Sequence, residues 1–128
     1  MQYLEFGKGA STPMGLALEA TRDMLLVRVS GRITVRECND LAASVTHTWD
    51  MVRARVIVLD LEKATIDGAA TAAVLAGCIG WLPLVPLLVA SADYGALLAQ
   101  QWHRAAPIEH YETAETALAV AVACYLIG

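Results

Sequence analysis

Apolar positions along this chain follow two rhythms: short runs of branched residues, and stripes that recur every three or four positions. The stretch from Val56 to Leu82, VIVLDLEKATIDGAATAAVLAGCIGWL, contains both and organises the rest. VIVLDL is rich in leucine and β-branched residues, the pattern of a strand buried on both faces. EKAT is polar and reads as a loop. Asp67 then stands as an N-cap before an uncharged, alanine-rich helix. Strand, loop and helix start in that order expose orphan N–H groups and the positive end of the helix dipole. The turn from Asp67 to Thr71 is therefore the expected binding edge, since α/β domains present ligands and partners where their strands end.

Upstream, MGLALEA and MLLVRVS alternate apolar and polar positions and predict an antiparallel hairpin, with Gly31 ending the second strand. Thr34-Val35-Arg36-Glu37 has the form of a capping box. Val35, Cys38, Leu41, Ala42, Val45, Trp49 and Val52 then recur at helical spacing, with Arg36, Asp40, Ser44, His47 and Asp50 on the other face. Downstream, PLLVAS predicts a buried strand. Ser91 or Asp93 caps a helix containing Leu97, Leu98, Trp102 and Ala105 and stopped by Pro107. IEHYE reads as a short edge strand. Thr113 caps a last helix whose stripe is Ala114, Leu118, Ala121, Val122 and Tyr125.

The predicted fold class is α/β: a mixed four- to five-stranded sheet with about four helices, in the order β-β-α-β-α-β-α-β-α. Residues 1–13 read as an N-terminal extension or short strand, QYLEF followed by a turn, and residues 14–128 as a single domain.

Composition narrows the function classes. The net charge is −4, and the seven arginines are scattered among acids, so a nucleic-acid surface is not expected. Cys38, Cys78 and Cys124 sit in apolar helical contexts and read as buried, reduced thiols of a cytoplasmic protein. The N-terminus lacks the basic start and apolar core of a signal peptide. Gly68 to Ala92 contains no charge, long enough on length alone to span a bilayer, but Pro83 and Pro86 interrupt it. A buried helix followed by a buried strand accounts for that stretch, and no membrane span is expected.

Catalytic chemistry is thin. His47, His103 and His110 fall on separate elements, with no second ligand at metal spacing. No nucleophile elbow, zinc-protease helix, Walker lysine or dinucleotide-binding glycine pattern occurs. Asp60 and Asp67 could be imagined as a carboxylate pair, but a loop acid and a helix cap explain them more simply. Gly77 and Gly80 suggest close packing of a helix on the sheet. Trp49, Trp81 and Trp102 lie near helix ends and read as core or rim packing, Trp81 and Trp102 being able to roof a shallow apolar pocket. No metal and no cofactor are expected.

The hairpin, SGRIT before the first helix, VIVLDLEKATIDGAA in the middle and YETAETALAVAV at the end together resemble the STAS domain family. That family comprises anti-sigma-factor antagonists, stressosome subunits and the cytoplasmic domains of sulphate transporters. The resemblance spans about Leu16 to Val122 by pattern. In the family the central helix opens with Asp-Ser-Ser/Thr-Gly, whose second hydroxyl is phosphorylated by a kinase that doubles as the anti-sigma factor. The matching residues here are Asp67, Gly68, Ala69 and Ala70. The acidic cap is kept, while Ala69 stands at the phosphoacceptor position without a hydroxyl. Thr34 matches a frequently acidic position before the first helix. By resemblance, then, the phosphorylation switch is absent; Thr71, the nearby hydroxyl further into the helix, reads as packed or back-bonded to the chain ahead of being a replacement acceptor.

Three functions follow, in order of preference. The first is a non-enzymatic interaction module docking a partner through Asp67, Gly68, Ala69, Ala70, Thr71 and Thr34. The resemblance implies an anti-sigma-factor/serine kinase-like protein, or another STAS protein, as that partner. A homodimer through the edges IEHYE or QYLEF is compatible with it. The second is a carrier of an apolar small molecule or lipid held against the charge-free helix, suggested by a mean hydropathy of +0.51. The third, an enzyme, rests on Asp60 and Asp67 alone.

Overall fold

The computed structural model describes residues 13–21, 23–92 and 104–126. Its strands are β1 (Gly15–Ala20), β2 (Met24–Ile33), β3 (Val56–Ile66), β4 (Leu87–Ala90) and β5 (Ile108–Tyr111). Among the described residues the α-helices are α1 (Val35–Val52), α2 (Gly68–Gly80) and α3 (Ala114–Ala121), the last running into a π-helical turn at Val122–Leu126. One mixed five-stranded sheet has the order β1-β2-β3-β4-β5. β1 is antiparallel to β2, and every other neighbour pair is parallel. The helix expected between Ser91 and Pro107 and the strand expected at QYLEF fall mainly on residues outside those described. IEHYE takes its place at the sheet edge as β5.

The central strands are buried on both sides because the sheet is sandwiched. Leu25, Val27, Val29, Ile57, Leu59 and Val89 join one core with Cys38, Leu41 and Val45 of α1 and Ala72, Leu75 and Ile79 of α2. Leu26, Val56, Val58, Leu88 and Ala90 point the other way, onto Ala114, Ala117 and Ala121 of α3. Alternation within each strand thus divides an unbroken apolar run between two cores. Each such leucine, isoleucine or valine contributes on the order of 1.5–3 kcal/mol through burial.

Two expected strand ends are corrected. β2 does not stop at Gly31, which adopts φ 78° within the strand, and EKAT is not a loop. Gly31, Arg32 and Ile33 pair in parallel with Ala64, Thr65 and Ile66, so each polar segment supplies the ladder partner of the other.

The last helix is corrected too. Ala114, Ala117 and Ala121 are buried, but Val122 is 44% exposed. The wider π turn that begins at this residue changes the angular phase of the stripe and swings Val122 outward. The same turn carries Tyr125, whose hydroxyl donates to Glu109 Oε2 at 2.7 Å, while Tyr111 donates to Glu109 Oε1. These bonds to a carboxylate, helped by burial, push both phenols up to about 12.

At the far end of α2, the Arg104 guanidinium donates to the carbonyls of Ile79 at 3.1 Å, Pro83 at 2.8 Å and Val85 at 2.6 Å. The Ile79 and Pro83 carbonyls also accept the Leu82 and Val85 N–H groups, so the cation adds a second bond to each and complements the helix dipole. Burial lowers the Arg104 pKa from its ordinary value.

Candidate functional site

β2 and β3 run side by side to the register pair Ile33–Ile66, and each then leaves the sheet into a helix. The Asp67 N–H donates to the Ile33 carbonyl at 3.1 Å, tying the two exits together. The first turns of α1 and α2 are consequently neighbours: the Cys38 thiol lies 3.9 Å from the Thr71 carbonyl oxygen. The resulting surface gathers the starts of two helices at the carboxyl ends of two parallel strands, the place where such sheets leave room for a partner.

α1 is closed by local chemistry. Thr34 forms the capping box with Glu37, whose Oε1 accepts from the Thr34 N–H at 3.0 Å and from its hydroxyl at 3.0 Å. Val35, expected in the buried stripe, is 45% exposed, because the first helical residue lies beyond the reach of the sheet.

α2 begins differently. Asp67 occupies the cap position, yet its side chain caps nothing. Arg32 Nη2 donates instead to Asp67 Oδ2 at 2.6 Å, across 35 residues of sequence. Both side chains are nearly half exposed, at 46% and 45%. Gly68 follows with φ +87°, and a Cβ added there would meet nothing within 4 Å. The expectation that Asp67 caps the helix is therefore corrected: a left-handed Gly68 starts the helix, and a cation on the adjacent strand captures the carboxylate.

Gly68, Ala69 and Ala70 are exposed, whereas Thr71 is 3% exposed and belongs to the packing between α1 and α2. Four of the five residues in the anticipated turn thus share an open surface with Thr34 and Val35, and Thr71 does not. Arg32 was not anticipated. Its only sequence signal is a position two residues before the Thr34 cap, and its partner emerges from register alone.

Elsewhere the candidates disperse. Asp60 and Asp67 stand seven positions apart along β3 and its exit, roughly 20 Å at strand rise, and do not form a pair. Asp60 Oδ1 accepts the Glu62 N–H at 2.9 Å. His47 is exposed, and His110 Nε2 lies 2.7 Å from the Ser91 carbonyl oxygen. His103 and Trp102 lie outside the described residues. Among those described, no three His, Cys, Asp or Glu side chains cluster as metal ligands.

The thiols also differ from expectation. Cys38 is buried, Cys78 is half-buried, and Cys124 is exposed on the π turn. Burial, with smaller contributions from Cys78 and Glu37, pushes the Cys38 thiol up to about 11, and burial raises Cys78 too. Neither is an activated nucleophile.

Trp49 packs at the end of α1 and donates through Nε1 to the Ala54 carbonyl at 2.8 Å. Trp81, by contrast, is 87% exposed. Gly77 is exposed with open space around it, so close packing is not the reason for that glycine. Between α1 and α2 the described residues leave an apolar cavity of about 10 Å³, lined by Cys38, Val45, Leu75 and Leu82 among others. That is room for about one water molecule and none for a lipid or acyl chain. No helix among the described residues is long and apolar enough to cross a membrane.

No protein-family model and no curated protein matches the sequence. Solved structures do match in shape. An anti-sigma factor antagonist from Mycobacterium paratuberculosis superposes with a TM-score of 0.58 at 16% identity, covering 84% of this chain and 93% of that one. The anti-sigma factor antagonist SpoIIAA in its unphosphorylated form superposes with a TM-score of 0.57 at 15% identity, covering 82% of this chain and 96% of that one. At these identities the likeness establishes the fold: this chain has the STAS fold of anti-sigma factor antagonists.

Proposed function

We propose that this chain is a non-enzymatic, cytoplasmic interaction module of the anti-sigma-factor-antagonist type, and that it docks its partner through the paired starts of α1 and α2. The observation that carries this is the exposure of Gly68, Ala69 and Ala70 beside Thr34 and Val35, at the carboxyl ends of β2 and β3. The patch is small-residued; Asp67 is held in an ion pair with Arg32, and the Glu37 carboxylate is bonded to the Thr34 N–H and hydroxyl. A protein surface can cover it without stranding a charge. The shared fold supports a serine kinase-like anti-sigma factor, or another STAS protein, as the partner class.

Ala69 stands where the family motif carries its phosphorylated hydroxyl, so the docking is constitutive. A phosphate there would add a charge of roughly −1.5 to −2 beside Asp67 and oppose binding, and alanine cannot receive one. Thr71, buried between the helices, is not a substitute acceptor.

Native mass spectrometry of the complex purified from the protein's own host, repeated on two variants, tests this reading. Ala69→Glu should weaken the complex by at least about 2 kcal/mol, roughly thirtyfold, because a carboxylate is desolvated without a partner. Glu19→Lys, on the exposed face of β1, should leave the complex intact. Retention of the partner by Ala69→Glu would falsify the docking site, and phosphate mapped to this chain in the free state would overturn constitutive binding.

A further inference from the structure

A second concave surface lies on the opposite face of the sheet, away from α1 and α2. On that face α3 packs on β3, β4 and β5, and among the described residues no helix packs there on β1 and the adjoining part of β2. A groove of about 220 Å³ results, lined by Gly15, Ala17, Arg28, Ser30, Asp60 and Lys63 together with backbone of Leu16 and Val29.

A β-bulge builds its charge. Between Arg28 and Ser30 the register advances two residues on β2 but three on β3, from Asp60 to Lys63. In an unbroken strand, side chains three positions apart point to opposite faces. The extra residue restores Lys63 to the face that already holds Asp60 and Arg28. The amide freed at the irregularity, Glu62 N–H, is bonded by Asp60 Oδ1 at 2.9 Å. That bond turns Asp60 away from its register partner Arg28, and no Arg28–Asp60 ion pair forms within 4.0 Å.

Arg28 and Lys63 are consequently two cations in one groove with no hydrogen-bond or ion-pair partner among the described residues. The Ser30 hydroxyl stands in the next row. Gly15 faces it so closely that a Cβ there would lie 2.7 Å from Ser30 Oγ. One positive charge remains in excess in this lining, although the chain as a whole carries −4.

We propose that this groove binds a small oxyanion, the phosphate or carboxylate group of a free metabolite, between the Arg28 guanidinium and the Lys63 ammonium with Ser30 as an added donor. A planar guanidinium and a mobile ammonium on a concave surface suit either oxyanion. The site is separate from the helix starts and stands or falls without them.

The test follows backbone amide resonances of the whole chain while inorganic phosphate, and separately succinate, is added at constant ionic strength. At least one of the two should shift Gly15, Arg28, Ser30 and Lys63 saturably, and the arm that responds assigns the oxyanion. Arg28→Gln combined with Lys63→Gln should weaken that binding at least about tenfold while other resonances stay in place. Shifts that rise linearly without saturation in both arms, or saturable binding undiminished in the double variant, would overturn the proposal.

Discussion

The starts of α1 and α2 are neighbours at one end of the sheet, yet they are finished by different chemistry. At α1, Thr34 and Glu37 lie within one turn of each other and close the box on themselves. At α2, the acid that should cap is drawn sideways to Arg32, and a left-handed glycine replaces it at the point of entry. One end gains stability from bonds that its own sequence supplies. The other places an exposed ion pair, two alanines and a glycine on the surface and leaves its first amides without a side-chain cap. The difference fits the proposed docking surface: a closed helix start would fix geometry, and an open one beside it would leave room for a partner.

Removing the box at α1 should have the largest effect on the contrast between the two helix starts. Thr34→Ala with Glu37→Ala should cost about 1–2 kcal/mol in urea unfolding, the usual worth of a lost cap. Next come the two exposed glycines of α2, which should respond with opposite signs. Gly68→Ala forces an L-residue to φ +87° and should destabilise by about 1 kcal/mol. Gly77→Ala, in the helix interior with nothing nearby, should stabilise by up to about 1 kcal/mol. Equal effects at the two positions would show that the left-handed start does not persist in solution. The smallest change is expected for Asp67→Ala, within about 0.5 kcal/mol, since an exposed ion pair contributes little. A cost there equal to that of the box would mean that Asp67 caps α2 after all, and the contrast between the two starts would disappear.

Much of the fold was legible in the sequence because its causes are short-ranged. The apolar run at Val56–Leu61, the three- and four-residue spacing of Cys38, Leu41 and Val45, and the Thr113 cap, whose hydroxyl accepts the Thr116 N–H at 3.1 Å, each depend on residues within a turn or a strand. The location of the candidate site followed from the same kind of pattern, a strand leading into a helix start.

Its chemistry did not. Asp67 looks like a cap until β2 brings Arg32 beside it, and EKAT looks like a loop until Gly31, Arg32 and Ile33 pair with it. Val122 continues a helical stripe on paper but turns outward when the helix widens, and Lys63 faces the groove only because a bulge shifts its parity. Trp81 has the size of a core residue and lies 87% exposed beyond the end of α2. The sequence by itself determined the periodicities, the local caps and the absence of a hydroxyl at Ala69, because these need only nearby residues or the residue itself. The tertiary structure alone decided the partners of Asp67 and Asp60 and the faces shown by Lys63 and Thr71. Those outcomes depend on which strand lies alongside and which face a helix covers, and both are settled by residues distant in the chain.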